Sequence, residues 1–590
     1  MEHKVLLSAN EAVAQAAYHA GCTVAAAYPG TPSTEVMENI AKLKDAIRCE
    51  WSVNEKVAAE VAIGASLAGA RTLVAMKHVG LNVAMDPIMT FTFVGAVGGM
   101  VVIVADDPGM HSSQNEQDSR VLAKFARVPV FEPSDSQEAY DMTHAAFDLS
   151  EQFEVPVFIR LTTRTSHAST LVNIDPDAPR KEVVSKGYTK DIIRNVAVPA
   201  YARPMRARVE KRTEALRNFA ANSEFNRVEK GDNHLGFVTA GISYQYVKEV
   251  FPEFSVLKLG LSNPLPVETI RNFAATVDRL VVVEELDPLL EEQIRAAGIA
   301  VVDVKTPLRM MELNPMRITA LRQELLGDAT PPPVQSTLDG LPNRPPVLCA
   351  GCSHRGVFYI LAKLKATVAG DIGCYTLGAF APLSAMDTTI CMGASIGSAL
   401  GMEKAGMDGR IAAVIGDSTF LHSGITGLLN VAYNRGTITT VILDNSITAM
   451  TGHQKNPGSG TTITGAETVT IDIAAICRAV GIKRVCEVDA YNLAELERVL
   501  KEELDAPEAS VVIAKGPCVI ATKANVGATP YVVDPNKCTA CGLCFKLGCP
   551  AILRGEAVGK RFKSAIDPAA CIGCDQCRQV CKFNAISPRS

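Results

Sequence analysis

The chain has 590 residues, of which 47 % are hydrophobic and one is a tryptophan, and its formal net charge at pH 7 is −5. This length predicts about four domains. The composition is that of an ordinary globular protein, and the near-neutral charge lacks the basic excess typical of nucleic-acid-binding proteins.

Neither a membrane span nor a signal peptide is predicted. Residues 90–105 form the most apolar stretch, but they are too few and too rich in glycine to cross a bilayer. The N-terminal residues lack the apolar core of a signal peptide. Nine of the 17 cysteines are scattered through the chain, as in proteins of a reducing compartment. We therefore expect a cytoplasmic protein that does not enter the membrane.

The first predicted domain covers residues 1–190, where apolar strands alternate with alanine-rich helices. This alternation predicts a wound α/β domain. Within it, Thr31 and Pro32 suit the N-cap and the first residue of a helix, which would leave a hydroxyl and free amides for a carboxylate. A strand-to-helix turn without a ligand remains the alternative.

Residues 191–232 are basic, polar and irregular, and we interpret them as a connector or an excursion across another domain. A second α/β unit is predicted for residues 233–328. Its buried strands are expected at residues 235–240, 255–259 and 279–283. A proline-rich linker, residues 329–346, then leads to a third α/β domain, residues 347–528.

The third domain carries a candidate metal site. A predicted strand at 411–415 ends in Gly416, Asp417 and Ser418, a helix is expected at about 423–434, and a strand at 440–443 ends in Asp444 and Asn445. Polar side chains at the carboxyl ends of consecutive parallel strands lie where α/β sheets bind cofactors. An Asp, an Asn and a backbone carbonyl suit Mg²⁺ shared with a diphosphate, and Gly416 would let the backbone approach the ligand. An ordinary βαβ crossover with a polar turn is the alternative.

Residues 529–590 contain two cysteine runs. The runs are Cys538, Cys541, Cys544 and Cys549, and then Cys571, Cys574, Cys577 and Cys581. Three closely spaced cysteines followed by a more distant fourth are typical of [4Fe–4S] ligation, in which the fourth cysteine usually binds the other cluster. We therefore assign Cys581 to the first three cysteines and Cys549 to Cys571, Cys574 and Cys577. Structural zinc is the alternative, but zinc sites usually pair cysteines two by two, whereas these cysteines come in threes. A disulfide scaffold fits less well still, because disulfides are typical of secreted chains.

The first run is irregular, because four residues rather than three precede Cys549. The type of cluster that Cys549 binds is therefore less certain than its presence. Residues 531–590 carry nine Lys/Arg against four Asp/Glu. This basic excess either offsets the charge of the clusters or forms a docking face for an acidic electron carrier, and the sequence favours neither.

The third-domain motif resembles the Gly-Asp-Gly…Asn-Asn signature of thiamine-diphosphate enzymes. Ser418 replaces the third glycine and Asp444 the first asparagine. The metal-ligand positions that the resemblance implies are intact, namely Asp417, Asn445 and the carbonyl of Ile447.

Four further segments resemble 2-oxoacid:ferredoxin oxidoreductases. The segments 349–354 and 370–375 resemble loops of the diphosphate domain, which implies that Cys352, His354 and Cys374 lie near the cofactor. Residues 28–35 resemble the substrate loop, with Thr31 as a catalytic candidate. Residues 54–69 resemble the helix that opens with the cofactor-activating glutamate, which implies Glu55; Glu60, five residues later, would not share its helical face.

The order of the domains resembles that of the large (alpha) subunits that act on indolepyruvate in this family. It implies a pyrimidine-binding domain at 1–190, a transketolase-C-like domain at 233–328, a diphosphate- and Mg²⁺-binding domain at 347–528 and a ferredoxin-like α+β domain with two [4Fe–4S] clusters at 529–590. It also implies a small (beta) subunit and an α₂β₂ assembly in which Glu55 of one chain meets Asp417 of another.

The function that the resemblance implies is oxidative decarboxylation of an aryl 2-oxoacid, indole-3-pyruvate, with coenzyme A, giving indole-3-acetyl-CoA, CO₂ and reduced ferredoxin. Pyruvate, 2-oxoglutarate and phenylpyruvate remain alternative substrates. A non-oxidative thiamine-dependent decarboxylase and a nucleotide-binding electron-transfer module are the rival functions.

Four histidines are further candidates, and a structural role is at least as good an explanation for each. We expect His354 and His422 to lie near the cofactor, whereas His78 and His453 carry no assigned role.

Overall fold

The computed structural model describes residues 4–175, 178–184, 187–327, 341, 345–522 and 529–589. Most of the predicted linker, 329–346, therefore lies outside the described residues. The chain forms two compact units, residues 1–337 and residues 338–590.

The first unit contains thirteen strands and thirteen α-helices among its described residues. The strands are β1 Lys4–Ser8, β2 Val24–Ala27, β3 Arg48–Trp51, β4 Thr72–Lys77, β5 Met100–Asp106, β6 Val130–Phe131, β7 Val157–Thr162, β8 Ser169–Asn173, β9 Arg227–Glu229, β10 Asp232–Ala240, β11 Phe254–Leu259, β12 Leu261–Asn263 and β13 Leu280–Val283. The helices are α1 Ala9–His19, α2 Thr34–Ala41, α3 Glu55–Leu67, α4 His78–Val94, α5 Ser119–Ala126, α6 Ser136–Phe153, α7 Thr163–His167, α8 Ile192–Asn195, α9 Pro199–Ala221, α10 Ser243–Val250, α11 Val267–Ala274, α12 Leu289–Ala296 and α13 Pro315–Leu326.

Three sheets lie among the described residues of this unit. The largest has the order β12-β6-β7-β5-β4-β2-β3 and is parallel apart from β12, the second has the order β13-β10-β11-β9, and the third is the antiparallel pair of β1 and β8. Strands β4, β5 and β7 are buried along their whole length, as expected for parallel strands covered by helices on both faces. The wound α/β fold is confirmed. Because β12 belongs to the second α/β segment but pairs with β6, the two segments share a sheet edge.

The segment predicted as an irregular connector is largely one helix, α9. Its buried residues Met205, Val209, Leu216 and Ala220 recur at helical spacing. The expected irregular structure was wrong, because Pro204 and the dense basic residues masked this period, whereas the role of the segment as a connector stays a prediction. Those basic residues have a local role, since Arg208 and Arg212 donate to the carbonyls of Thr92, Phe93 and Val94 at the end of α4.

A buried arginine ties the two α/β segments of this unit together. The Arg120 side chain is 2 % exposed and forms ion pairs with Asp118 and with Glu284, whose Oε2 lies 3.0 Å from Arg120 Nη1. Arg120 also donates to the carbonyls of Glu285 and Asp287. Burial raises the pKa of Glu284 to about 7, and the Arg120 charge opposes that rise.

The second unit is built on a five-stranded parallel sheet of order β14-β15-β16-β18-β17, and two two-stranded sheets follow it. The strands are β14 Thr367–Ala369, β15 Ile411–Gly416, β16 Thr439–Asp444, β17 Arg484–Asp489, β18 Ser510–Lys515, β19 Tyr531–Val533, β20 Ile552–Val558, β21 Arg561–Ile566 and β22 Ile586–Pro588. The α-helices are α14 His354–Lys363, α15 Ala394–Lys404, α16 Asp417–Thr419, α17 Ile425–Tyr433, α18 Ile473–Ala479, α19 Leu493–Leu504 and α20 Gln576–Val580. Single 3₁₀ turns span Cys374–Ala379 and Cys544–Leu547.

The cysteine domain packs onto the five-stranded domain without a separate core. Leu547, Val580 and Ile586 belong to the same buried cluster as Phe358 and Leu496. Polar contacts reinforce the junction, since Gln579 donates to the carbonyl of Tyr491 and accepts from the backbone N–H of Leu493. In the described part of the chain, no helix has the length and apolarity needed to cross a membrane.

Replacing Arg120 with methionine should strongly destabilise the first unit, because Glu284 would remain buried without this counter-charge and Asp118 would be left with Arg160, whose Nε lies 4.0 Å away. The expected loss is about 3–5 kcal/mol, measured by chemical or thermal unfolding. Arg217→Met is the matched control, since Arg217 is 61 % exposed and pairs with Glu214 on the surface. Equal, small effects of the two substitutions would contradict the structural role of Arg120.

Candidate active site

The predicted pair of strand ends forms as expected. Strands β15 and β16 are parallel neighbours, with Gly416 opposite Leu443, so Asp417 and Asn445 follow adjacent strands at one edge of the sheet. The helix predicted at 423–434 begins earlier: the chain is helical from Asp417, through a π turn at Phe420–Gly424, into α17. Ser418 and Thr419 are weak helix formers, because such side chains compete for backbone hydrogen bonds.

Asp417 is a buried carboxylate with few compensating groups. It is 3 % exposed, and Asn456 Nδ2 donates to its Oδ2 at 3.0 Å. Burial, followed by the nearby charge of Asp444, raises the pKa of Asp417 to about 7. A cation at this position would restore the charged form. Sequence reasoning missed Asn456, because only the fold brings it to Asp417.

The loop after β16 is held by its own side chains. The backbone N–H of Ser446 donates to Asp444 Oδ1 at 3.0 Å, and that of Ile447 donates to Asn445 Oδ1 at 3.2 Å. Ser446 has a φ of 59°. The Ser418 and Thr448 hydroxyls lie 2.7 Å apart and join this loop to the start of α16. Asn445 and Ile447 are thus fixed beside the strand end that carries Asp417.

Gly416 lies against Tyr375, and its role in letting the backbone approach a ligand stays a prediction. A Cβ at this position would lie 2.6 Å from Cε1 of Tyr375, so the glycine makes room for the tyrosine ring. Tyr375 also packs edge-to-face against His354, with ring centroids 6.1 Å apart. Burial lowers the pKa of His354 to about 4, so this imidazole is neutral at pH 7.

The other candidate histidines occupy dissimilar environments. His422 lies in the π turn, 5 % exposed, with its Nδ1 2.6 Å from the Ser423 hydroxyl. His453 is half-buried in the turn after the 444–448 loop. His78, in the first unit, is buried at the start of α4, and burial lowers its pKa.

Four thiols lie close together beside α14. Burial raises the pKa of Cys374 to about 11, with Cys349 and Cys518 as the next causes. Burial likewise raises the pKa of Cys352 to about 12, with Cys349 and Cys374 as its neighbouring thiols. Cys352 and Cys374 were predicted to lie near the site, whereas Cys349 and Cys518 were missed. Such a set could hold iron, and the Cys-x-x-Cys spacing of 349 and 352 was the available signal.

The eight C-terminal cysteines line two separate cavities, which we call cradles. The first cradle is lined by Cys538, Cys541, Cys544 and Cys581. The second cradle is lined by Cys549, Cys571, Cys574 and Cys577. The structure therefore brings together the same two sets that the sequence predicted. Among the described residues, no group of three or more His, Cys, Asp or Glu side chains converges on a single-ion position.

The extra residue before Cys549 is accommodated by a 3₁₀ turn, Cys544–Leu547. Gly548 follows with a φ of 65°, where a Cβ would lie 2.9 Å from Cδ of Pro382. The carbonyl of Leu547 accepts from Arg355 Nη1 at 3.0 Å. The longer loop thus reaches the five-stranded domain.

In the first unit, α3 opens at Glu55, and Asn54 caps the helix by accepting from the N–H of Val57 at 2.9 Å. Glu55 is 6 % exposed, whereas the Glu60 side chain is 44 % exposed and pairs with Lys56. Gly80 on α4 makes room for the glutamate, because a Cβ there would lie 2.6 Å from Glu55 Oε1. The burial of Glu55 and the exposure of Glu60 agree with the preference for Glu55, whose role as the cofactor-activating glutamate stays a prediction.

The predicted helix start at Thr31 is wrong. Helix α2 begins at Thr34 with Ser33 in the N-cap position, and the Ser33 hydroxyl donates to the carbonyl of Gly30 at 2.9 Å. Residues 31–33 form a turn that precedes the helix. Thr31 lies in the preceding loop, where its carbonyl accepts from the Ser112 hydroxyl at 3.3 Å.

Three family matches cover most of the regions that carry these features. Residues 15–220 match the thiamine-diphosphate-binding domain of pyruvate flavodoxin/ferredoxin oxidoreductases. Residues 371–514 match the C-terminal TPP-binding domain of thiamine pyrophosphate enzymes. Residues 565–587 match the 4Fe–4S binding domain.

Similar proteins extend over nearly the whole chain. The indolepyruvate oxidoreductase subunit IorA of Archaeoglobus fulgidus is 41 % identical over 99 % of this chain and 97 % of its own length. The protein of the same name from Pyrococcus abyssi is 40 % identical over 99 % of this chain and 96 % of its own length. Among solved structures, a 2-oxoglutarate:ferredoxin oxidoreductase from Magnetococcus marinus matches 55 % of this chain and 65 % of its own, with 18 % identity and a TM-score of 0.47. The chain belongs to the family of indolepyruvate oxidoreductase IorA subunits.

Proposed function

We propose that this chain, with a small subunit, catalyses the ferredoxin-linked oxidative decarboxylation of indole-3-pyruvate. One 2-oxoacid, one coenzyme A and two oxidised ferredoxins give one acyl-CoA, one CO₂, two reduced ferredoxins and one proton. The observation that carries the proposal is the arrangement of the second unit, where the Asp417 site and two four-cysteine cradles share one compact body.

Asp417, Asn445 and the carbonyl of Ile447 would hold Mg²⁺ and, through it, the diphosphate of thiamine diphosphate. Their fit rests on the oxygen donor set and on the buried Asp417 carboxyl, whose raised pKa a cation would reverse. Bound thiamine diphosphate supplies the carbon nucleophile and electron sink for decarboxylation. Neutral His354 and the buried Tyr375 ring shape the wall beside Gly416 and exclude water from it.

Glu55 would activate the cofactor by holding a proton at its aminopyrimidine ring. Its burial at the start of α3, with space provided by Gly80, supports this role. Thr31, in the loop after β2, would contact the substrate carboxylate. We further propose that the half-site carrying Glu55 serves the Asp417 half-site of a second chain, as in an α₂β₂ assembly.

The two cradles would each hold a [4Fe–4S] cluster and pass single electrons to ferredoxin. The interleaved linings, with Cys581 in the first cradle and Cys549 in the second, support crossed ligation. Indole-3-pyruvate is proposed as the substrate because relatives that match nearly the whole chain bear the name indolepyruvate oxidoreductase.

Steady-state rates across 2-oxoacids test the function. The holoenzyme with its small subunit, coenzyme A and ferredoxin should show its highest kcat/KM for indole-3-pyruvate, compared with phenylpyruvate, pyruvate and 2-oxoglutarate. Glu55→Gln should abolish substrate-dependent ferredoxin reduction while leaving the cluster absorbance intact, and Glu60→Gln should leave both unchanged. Aldehyde release without ferredoxin reduction would contradict the proposal, as would failure of calorimetry to detect thiamine diphosphate binding with Mg²⁺ present.

Paired cysteine substitutions test the crossed ligation. Cys541→Ala with Cys581→Ala removes two ligands from the first cradle alone, so half of the iron–sulfur absorbance of the two cradles should remain. Cys541→Ala with Cys549→Ala damages both cradles and should abolish it. If each cluster were instead bound within one run, the variant that retains half of the clusters would be Cys541→Ala with Cys549→Ala. Iron analysis and electron paramagnetic resonance (EPR) distinguish the two results.

Gly80→Ala tests the placement of Glu55. The added methyl group would lie within 3 Å of three Glu55 atoms, so the carboxyl group must shift. Because small misplacements of catalytic groups are costly, we expect kcat to fall by at least about tenfold. Gly64→Ala on α3 is the control, since among the described residues its added methyl group meets no atom within 4 Å apart from its chain neighbours and the backbone of its own helix. Unchanged kcat in Gly80→Ala would contradict this placement.

A further inference from the structure

Arg355 is a buried arginine between the second cradle and the five-stranded domain. It lies in the first turn of α14, is 2 % exposed and lines the second cradle. Its guanidinium donates to three backbone carbonyls: to Cys349 O at 2.9 Å, to Leu547 O at 3.0 Å and to Leu348 O. These bonds fix the planar group in one orientation.

No carboxylate in the described ranges lies within ion-pair distance of Arg355. Burial lowers its pKa, and the groups that oppose this fall are the thiols of Cys549, Cys352, Cys349 and Cys574. A buried cation is costly unless a negative charge lies nearby. Cys549 and Cys574 line the second cradle, so the compensating charge would come from the thiolates and the cluster that they hold.

The surroundings of Arg355 also position the cradle. Gly351 packs so closely against the second cysteine run that a Cβ there would lie 2.2 Å from Cδ1 of Ile572. Leu547, which accepts from Arg355, belongs to the four-residue gap before Cys549, which is one residue longer than expected. This lengthened loop and the 349–352 loop therefore meet at the same guanidinium.

We propose that Arg355 is a positioning and tuning residue, whose fixed positive charge holds the reduction potential of the second-cradle cluster above the value that it would otherwise have. Reduction adds a negative charge, and a buried cation beside the cluster stabilises the reduced form more than the oxidised one. The inference rests on the proposed cluster in this cradle, but not on the identity of the 2-oxoacid.

The test is an EPR-monitored redox titration with dithionite, without substrate, of the full-length wild-type protein, Arg355→Lys, Arg355→Gln and Arg355→Met. Arg578→Gln is the matched control, because Arg578 follows Cys577 directly but is 51 % exposed and pairs with Asp575. Repeating the series with Cys541→Ala and Cys581→Ala in the background removes the first-cradle signal.

The two neutral variants, Arg355→Gln and Arg355→Met, should lower the midpoint potential of the second cluster by at least 59 mV, which is a tenfold change in the one-electron equilibrium. The midpoint potential of Arg355→Lys should differ from that of the wild type by no more than the difference measured for Arg578→Gln. Loss of the cluster in both neutral variants, with retention in Arg355→Lys, also supports the charge role. A midpoint potential equal to that of the wild type in the neutral variants overturns the proposal. The proposal is also overturned if Arg355→Lys shows the same shift, or the same loss of the cluster, as the neutral variants.

Because the titration uses no substrate, its result is separate from the proposed reaction. A wild-type protein that holds both clusters but oxidises no 2-oxoacid would contradict the proposed function. The redox titration would still decide the role of Arg355 in that protein. A wild-type protein without iron at the second cradle would overturn the Arg355 assignment directly.

Discussion

One shared hydrophobic core determines how the second unit can work. Side chains of the cysteine domain, among them Leu547, Val580 and Ile586, are buried with Phe358 and Leu496 of the five-stranded domain. A domain of about 60 residues that lacks its own core would be marginal alone, so burial against its neighbour supplies the stability. The same burial fixes the second cradle against the 349–352 loop, with Gly351 packed on Ile572. Stability and the placement of the electron path thus depend on one interface.

The features that the sequence could predict are those set by short spacing. Cysteines two residues apart converge on one cavity, and polar residues that end neighbouring parallel strands meet at one sheet edge. Both patterns are local, so the cradles and the positions of Asp417 and Asn445 were predictable. The start of α3 at Glu55 was predictable for the same reason, because Asn54 is a strong N-cap.

The features that could not be predicted from the sequence depend on contacts between residues that are distant along the chain. Gly416 was predicted to let the backbone approach a ligand, but its contact with Tyr375, which a separate turn brings there, could not be predicted from the local sequence. Asn456 and Cys518 reach the site only through the fold. Helix α9 was hidden by basic residues that act elsewhere, as donors to the last carbonyls of α4. Composition described these side chains, but their partners lie far along the chain, 39 residues away for Asn456 and 120 for Arg212.

The interleaving of the two cradles has a consequence for how the protein is made. The first cradle contains Cys538, Cys541 and Cys544 but is closed by Cys581, and the second contains Cys571, Cys574 and Cys577 but is closed by Cys549. Hairpin β20–β21 separates the two runs along the chain. A ribosome must therefore reach Cys577 before the second cradle has its four cysteines, and Cys581 before the first has them, so iron insertion is expected to follow synthesis of nearly the whole cysteine domain. Because each cradle joins cysteines from both runs, ligand binding is expected to be coupled to folding of this domain.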